Sequence, residues 1–216
     1  MKLKIDLLRH GETTLSHTLR GSTDDELTEL GWTQMHQAIA QQLNLNDQSS
    51  TRSPIQLSAQ SSWDVIFSSP LQRCAKFAEL IATQLKLPLT QDLRLQEMHF
   101  GDWEGISTQQ IYDENPELLA NFWRYPTKFT PPNAENLLHF QERILKAINH
   151  LAQEMSQSNK QHALIVTHGG VIKLLKCMVL KQPLDDILKM TAELGNLNSF
   201  ILDSETMQLE LIENYK

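Results

Sequence analysis

Three short apolar segments of this chain are each followed at once by a polar cluster and then by a helix-like pattern. The segments are Lys2–Leu8, Trp63–Phe67 and Ala163–Val166. Apolar runs of this length, bounded by turn residues, are typical of buried strands. Strands that alternate with helices favour a largely parallel sheet with helices on both faces. The sequence therefore predicts a three-layer α/β/α sandwich, with the three polar clusters at the carboxyl edge of one sheet.

The rest of the chain completes this prediction. Residues 106–132 break the periodic pattern and carry five aromatic residues, so we expect short helices that form a lid. Residues 44–62 hold too few apolar side chains to enter a core and are expected to form a surface excursion. No boundary is evident, so residues 1–216 are expected to form one domain. The other predicted elements are helices beginning at Thr28 and near Pro70, a strand at Leu87–Gln91, helices over about Ala134–Ser156 and Gly170–Leu180, and a hairpin of Asn196–Asp203 and Met207–Ile212.

Composition limits the partners. A net charge of −7 argues against a nucleic-acid surface, although it permits a small basic pocket of Arg9, Arg20 and Arg73. No apolar run is long enough to span a bilayer, and the amino terminus carries no secretory pattern. Cys74 and Cys177 lie in apolar helical patterns without Cys or His at ligand spacing, so we expect reduced core thiols, no metal site and a cytoplasmic protein. The oligomeric state stays open, a homodimer included.

The first polar cluster is Arg9-His10-Gly11, at the predicted end of the first strand. An arginine fork matches phosphate oxygens in a bidentate manner, and a neutral imidazole is a competent nucleophile near pH 7. The pair therefore indicates a phosphate that is bound by Arg9 and attacked by His10. The alternative is an ordinary surface pair in a loop.

Two later clusters fit the same chemistry. Arg73 is expected in the first turn of a helix, where a cation opposes the helix dipole unless an anion lies nearby. His168 and Gly169 stand at a strand-to-helix turn, where free N–H groups favour an anion. The alternatives are a solvated arginine and a structural histidine at a strand end.

Glu97 is the candidate proton donor. It lies in a turn-like stretch near Met98, Phe100 and Trp103, and apolar surroundings raise the pKa of a carboxyl group. Cleavage of a phosphoester needs a proton for the leaving oxygen, which such a carboxyl group supplies. The alternative is an exposed loop glutamate.

These motifs, in this order, resemble the histidine phosphatase superfamily, also called the phosphoglycerate mutase-like family. The resemblance covers nearly the whole chain. It rests on Leu-Leu-Arg-His-Gly-Glu-Thr near the amino terminus, Ser-Ser-Pro-Leu-Gln-Arg in the middle, Glu97 before Phe100-Gly101, and the late Thr-His-Gly-Gly. The segment Gly21-Ser22-Thr23-Asp24 also looks like the family's glycine-x-x-aspartate segment.

The resemblance implies a phosphohistidine mechanism on a small phosphorylated metabolite, without metal or cofactor. His10 would be the nucleophile, and Glu97 would be the acid and then the base for water. Many members carry an asparagine as a phosphate ligand six residues after the histidine. This chain departs from that pattern, because Ser16 stands at the position. The phosphate-binding and substrate-binding residues implied are Arg9, Thr13, Ser16, Gly21, Ser22, Arg73, His168 and Gly169.

Within the family, the stretch from Leu95 to Glu104 resembles the alpha-ribazole phosphatase branch. This predicts a phosphatase of alpha-ribazole 5′-phosphate in cobalamin biosynthesis. A broad-specificity phosphatase, a sugar-bisphosphate phosphatase, a phosphopeptide phosphatase, a mutase and a non-catalytic phospholigand-binding module remain alternatives. Trp123, Tyr125 and Phe129 are candidates for stacking on a planar base, although we expect at least two of them to form the core of the lid.

Overall fold

The computed structural model describes residues 1–43 and 62–212, so most of the predicted excursion at 44–62 lies outside the described residues. Its centre is a six-stranded sheet in the order β3-β2-β4-β1-β5-β6. The strands are β1 Lys2–Arg9, β2 Val65–Ser68, β3 Leu89–Gln91, β4 His162–Thr167, β5 Leu197–Asp203 and β6 Leu209–Ile212. The α-helices are α1 Glu29–Gln42, α2 Gln72–Leu85, α3 Thr108–Glu114, α4 Pro116–Arg124, α5 Leu137–Gln157 and α6 Gly169–Val179. Short 3₁₀ helices cover Leu93–Leu95, Gly101–Trp103 and Leu184–Lys189.

The sheet is mixed. Strands β3, β2, β4 and β1 run parallel, and β5 and β6 add an antiparallel pair beside β1. The predicted closing hairpin is therefore confirmed. Its antiparallel strands need only the tight turn between Asp203 and Gln208, whereas the parallel strands are joined by helical crossovers.

Alternation along β1 divides the core into two layers. Leu3, Ile5 and Leu7 pack in a cluster with α5 and α6, whereas Leu8 belongs to a second cluster with α1 and α2. Successive strand residues point to opposite faces, so both faces of the sheet are covered. The predicted three-layer α/β/α architecture is confirmed, and both cysteine thiols are unpaired and buried as predicted.

Several element boundaries differ from the prediction because of local capping. Helix α2 begins at Gln72, so Pro70 precedes the capping residue instead of opening the helix. Helix α5 begins three residues later than predicted because Asn136 caps it, its side chain accepting from the amide of His139. Thr28 caps α1 as predicted, through a bond from Gly31 N.

The predicted lid contains α3 and α4. Phe122 packs edge-on against Trp103 with ring centroids 5.6 Å apart. The sequence predicts that at least two of Trp123, Tyr125 and Phe129 form the core of the lid. This prediction is wrong, because Trp123 is 51% exposed and Tyr125 is 36% exposed. Leu119 and Phe122 are the buried residues of α4, whereas Trp123 lies at the edge of that buried face, one residue before the helix ends at Arg124.

No helix within residues 1–43 and 62–212 is long and apolar enough to cross a membrane. Over the same ranges, His, Cys, Asp and Glu side chains form no group of three that would hold a metal ion.

Candidate active site

The three predicted polar clusters meet at the carboxyl edge of the parallel strands. His10 follows β1, His168 follows β4 and Ser69 follows β2, and β4 lies between the other two strands. The amides of His10 and Ser69 donate to the carbonyls of Thr167 and Val166 at 3.0 Å each. These bonds extend the sheet register by one residue and fix the start of each loop.

A cavity of about 220 Å³ opens at this edge. Its wall combines charged side chains with an apolar side contributed by the lid and α5. The ionisable residues are Arg9, His10, Arg20, Glu97 and Lys173, beside Gly169 and Gly170, and the main apolar residues are Leu19, Phe100, Phe122, Pro126, Phe140 and Ile187. Arg73 and His168 are completely buried and are not among the residues that line the cavity.

His10 is 3% exposed, and its Nδ1 lies 2.8 Å from the carbonyl oxygen of Gly11. A carbonyl oxygen only accepts, so Nδ1 carries the proton and the lone pair lies on Nε2. Burial holds the pKa of His10 well below its usual value, and the charge of Arg73 lowers it further. The side chain is therefore a neutral imidazole with an unprotonated Nε2.

His168 lies beside His10, with ring centroids 5.3 Å apart. Its Nε2 is 2.7 Å from the hydroxyl oxygen of Ser69, and the Sγ of Cys74 is 3.7 Å from the same nitrogen. Burial and then the charge of Arg73 lower the pKa of His168 well below its usual value. Two neutral imidazoles thus stand next to buried guanidinium groups.

Arg9 and Arg73 each keep one buried donor without a protein partner in the described residues, and in both cases it is Nε. Arg9 Nη1 donates to the carbonyl of Ala192. Arg73 Nη1 donates to Thr23 O at 2.6 Å and to Asp25 Oδ1 at 3.1 Å, and its Nη2 donates to Gly21 O at 2.7 Å. A buried N–H group without an acceptor is costly, so two of them beside His10 indicate a site for an anion.

Glu97 is held at the start of α6. Its Oε2 accepts from Gly170 N at 2.9 Å, and its Oε1 accepts from the amide of Met98 at 3.0 Å. A Cβ atom on residue 170 would lie 2.1 Å from Oε1, so this approach requires glycine. Met98 is buried and Phe100 is partly buried at the cavity wall, in agreement with the predicted apolar surroundings.

Two further cations lie at the cavity. Arg20 is a pocket candidate from the sequence, and its Nε is 3.0 Å from Asp25 Oδ2. Sequence reasoning missed Lys173, although it follows Gly169 by four residues and therefore shares its helix face. Burial, followed by the charge of Arg9, lowers the pKa of Lys173, whereas Glu97 acts in the opposite direction.

Four other predicted ligands lie outside the residues that line this cavity. Thr13 and Ser16 bond to each other, with Thr13 N 2.9 Å from Ser16 Oγ and the two hydroxyl oxygens 3.3 Å apart. The amides of Gly21 and Ser22 donate to the carboxylate of Glu104 at 3.0 and 3.1 Å. Sequence motifs did not indicate that a carboxylate of the chain itself would occupy these amides.

The sequence and the fold are similar to those of known proteins. The sequence matches the family model described as histidine phosphatase superfamily (branch 1) over residues 5–215. Adenosylcobalamin/alpha-ribazole phosphatase of Escherichia coli (strain K12) is 25% identical over 217 residues, covering 98% of this chain and 96% of that protein. Glucosyl-3-phosphoglycerate phosphatase of Mycolicibacterium vanbaalenii is 26% identical over 189 residues, covering 85% of this chain and 76% of that protein.

Among solved structures, YhfR of Bacillus stearothermophilus is similar with a TM-score of 0.79 and 26% sequence identity. The similarity covers 98% of this chain and 96% of that chain. The match therefore includes the sheet, both helical layers and the edge that carries the cavity.

Proposed function

This chain belongs to the histidine phosphatase superfamily (branch 1) and is a phosphoric monoester hydrolase, and we propose that it works through a phosphohistidine at His10 without a metal ion. The main evidence is a pair of buried Nε donors, on Arg9 and Arg73, that have no partner within the described residues. They lie beside the neutral imidazole of His10. This arrangement supports a bound phosphoryl group with a nucleophile at its edge.

The proposed reaction has two displacements. In the first, Nε2 of His10 forms a bond to phosphorus while the bond from phosphorus to the ester oxygen breaks. The leaving oxygen takes a proton from Glu97, so the alcohol departs neutral. In the second, Glu97 takes a proton from water as the water oxygen attacks phosphorus, and inorganic phosphate leaves His10.

The buried cations stabilise the transferring group. Phosphoryl transfer depends mainly on positioning and on donors aimed at the equatorial oxygens. Arg9 and Arg73 supply charged donors, and the start of α6 at Gly169 supplies the positive end of a helix dipole. In this proposal His168 holds its place beside His10 through its contact with the Ser69 hydroxyl.

A non-catalytic phospholigand-binding module is the alternative from another class. Such a module needs the arginine donors but has no use for a carboxyl group at the cavity. Glu97 lines the cavity and is fixed by the amide of Gly170, which supports a proton-transfer role and hence the enzyme.

We propose alpha-ribazole 5′-phosphate as the substrate. The apolar wall of the cavity, with Phe100, Phe122 and Phe140, fits a planar base, and burial of such a base against aromatic rings is favourable. The identity of 25% to the Escherichia coli relative, whose name includes this activity, supports the choice. Trp123 and Tyr125 do not contribute to that wall.

A phosphorylated carboxylic acid is the second candidate, favoured by Arg20 and Lys173 at the cavity. A second anionic group on the substrate would interact with these cations once Arg9 and Arg73 hold the phosphate. The relative from Mycolicibacterium vanbaalenii acts, by its name, on a phosphoglycerate derivative.

The test is kcat/KM, in the presence of a chelator, for alpha-ribazole 5′-phosphate, 3-phosphoglycerate, phosphoserine, fructose bisphosphates and p-nitrophenyl phosphate. We expect alpha-ribazole 5′-phosphate to be preferred and Lys173→Met to leave that preference in place. A preference for the carboxylates that Lys173→Met abolishes would select the second candidate. Loss of all hydrolysis upon chelation, with recovery on adding a metal ion, would contradict the metal-independent route.

A further inference from the structure

The loop Gly21–Asp25 lies between a carboxylate and a guanidinium group. On its amide side, Glu104 accepts from Gly21 N, Ser22 N and Thr23 N at 3.0 to 3.1 Å and from Thr23 Oγ1 at 2.5 Å. On its carbonyl side, Arg73 donates to Gly21 O and Thr23 O at 2.7 and 2.6 Å. The peptide group between Gly21 and Ser22 therefore donates its N–H to Glu104 and accepts from Arg73 at its C=O, which connects the carboxylate to the guanidinium group.

The segment that carries Glu104 also carries Glu97, and the loop packs directly on it. A Cβ atom on residue 21 would lie 1.7 Å from the carbonyl oxygen of Met98, so the contact requires glycine. Glu104 additionally accepts from Phe100 N at 2.9 Å. One carboxylate thus joins the Gly21–Asp25 loop to the segment next to the proposed acid.

The same loop fixes the helix on which Arg73 stands. Asp24 Oδ1 accepts from Gln72 N at 2.7 Å, and Gln72 Nε2 donates to Asp24 O at 2.5 Å. Asp25 contacts both Arg73 and Arg20. Within the part of the chain that the structure describes, the hydrogen bonds of the Arg73 guanidinium all go to this loop.

We propose that Glu104 is a positioning residue, which sets the orientation of the Arg73 guanidinium for phosphate through the Gly21–Asp25 loop. This rests on the proposed function, because it assigns phosphate to Arg73. Glu104 has no direct contact with the phosphate site in this assignment.

The electrostatic alignment supports the assignment. A carboxylate on the N–H side of a peptide and a cation on its C=O side polarise the peptide in the same direction, which strengthens both hydrogen bonds. Burial alone would raise the pKa of Glu104, but the bonds from Thr23, Phe100 and Gly21 outweigh burial and lower it. The carboxylate therefore keeps its charge across the neutral pH range.

The test compares Glu104→Gln with Asp102→Asn. The glutamine side chain would point an amide N–H group at the loop amides, which are donors themselves. Asp102 lies two residues away and contacts the exposed side chain of Asn133, so its substitution is the matched control. The measurements are thermal unfolding, the Kd for inorganic phosphate, and kcat and KM for p-nitrophenyl phosphate.

We expect folded Glu104→Gln to raise the Kd for phosphate and KM by about 10-fold or more, the effect typical of residues that orient ligand-binding groups. Asp102→Asn should stay within about twofold of the wild type. If Glu104→Gln does not fold, Thr23→Val removes only the hydroxyl donor and should raise both constants in the same direction.

A double-mutant cycle with Arg73→Lys distinguishes positioning from a separate structural role. We expect the effect of Glu104→Gln on phosphate binding to shrink when residue 73 is already lysine. If the effects of Glu104→Gln and Arg73→Lys on the Kd for phosphate are independent, so that the two fold-changes multiply in the double variant, the inference is overturned. It is also overturned if folded Glu104→Gln binds phosphate as tightly as Asp102→Asn. Wild-type protein that binds phosphate but hydrolyses no ester would contradict the proposed function alone, and the binding comparison would still decide on Glu104. Wild-type protein that binds no phosphate would contradict both.

Discussion

The Nδ1 atom of His10 donates to the carbonyl oxygen of Gly11, the next residue along the chain, at 2.8 Å. This single contact fixes the tautomer of the ring, because the carbonyl oxygen has no proton to give. The lone pair is thereby placed on Nε2, and burial together with Arg73 keeps it unprotonated by lowering the pKa of His10. Backbone geometry after β1, rather than an acidic side chain, prepares the proposed nucleophile.

Replacement of His10 by alanine should abolish turnover, because the proposed covalent intermediate forms on this side chain. We expect kcat to fall by about 10³-fold or more, as for other covalent nucleophiles. His150→Ala is the control, since that side chain is exposed on α5. Rapid quenching with a radiolabelled substrate should trap label on wild-type protein only. Turnover near that of the control would refute the phosphohistidine route.

Glu97→Gln should impair hydrolysis while phosphate binding persists, because the amide keeps an oxygen that accepts from Gly170 N but has no acidic proton. We expect kcat to fall by about 10²–10⁴-fold for an alkyl phosphate. The loss should be smaller for p-nitrophenyl phosphate, whose leaving group needs little protonation. Glu142→Gln, an exposed change on α5, is the control. Equal losses for both substrates, together with lost phosphate binding, would assign Glu97 a structural role.

Arg73→Ala should reduce kcat/KM by about 10²–10³-fold or more, because one charge-stabilising donor is removed from the transition state. The same change leaves Asp25 and two loop carbonyls with fewer donors in a buried region. We therefore expect the free energy of unfolding to fall by about 3–5 kcal/mol, the cost typical of breaking a buried ion pair. Arg124→Ala, on the exposed side of α4, should change neither quantity. A folded Arg73→Ala protein with normal kcat/KM would remove Arg73 from the proposed phosphate site.

Stability should fall as the pH drops below about 6.5, the usual pKa of histidine in an unfolded chain. His10 and His168 have lowered pKa values in the folded protein, so the unfolded chain binds more protons below that pH. Each of these histidines then contributes up to about 1.4 kcal/mol of lost stability per pH unit. The measurement is the free energy of unfolding from pH 7 to 5 for the wild type and His168→Asn. A shallower dependence is expected for the variant, and an identical dependence would contradict the neutral state of His168.

Asp6 should stabilise the fold without taking part in catalysis. Its carboxylate accepts from Trp63 Nε1 at 2.8 Å, from His162 Nε2 at 2.7 Å and from Ser199 Oγ at 2.6 Å. Asp6→Asn puts a donor against these donors, so we expect a loss of about 3–5 kcal/mol in the free energy of unfolding. Asp6 lies four residues before His10 on the strand, roughly 13 Å away, so kcat at a permissive temperature should not change. Asp113→Asn, an exposed change, is the control, and unaltered stability of Asp6→Asn would show that the network contributes little.

The sheet and the cluster at its edge were predictable because local patterns determine them. The apolar run before Arg9 and the turn residues after it predict a strand end, and the same holds for the run before His168. Parallel strands bring their carboxyl ends to one edge, so the order of motifs was enough to place both histidines together. Register and element boundaries were less predictable, since caps such as Asn136 depend on a single side-chain contact.

Local sequence determined the strands, the helices and the types of residue that meet at the carboxyl edge, because hydrophobic periodicity and turn chemistry act over a few neighbouring residues. Only the tertiary structure decided which donors remain for a ligand. Glu104 lies 83 and 82 positions from the amides of Gly21 and Ser22 that it occupies, and Lys173 reaches the cavity of Arg9 through the packing of α6 on the sheet. Such contacts depend on how segments that are distant in the sequence pack together, and a pattern of neighbouring residues does not specify that packing.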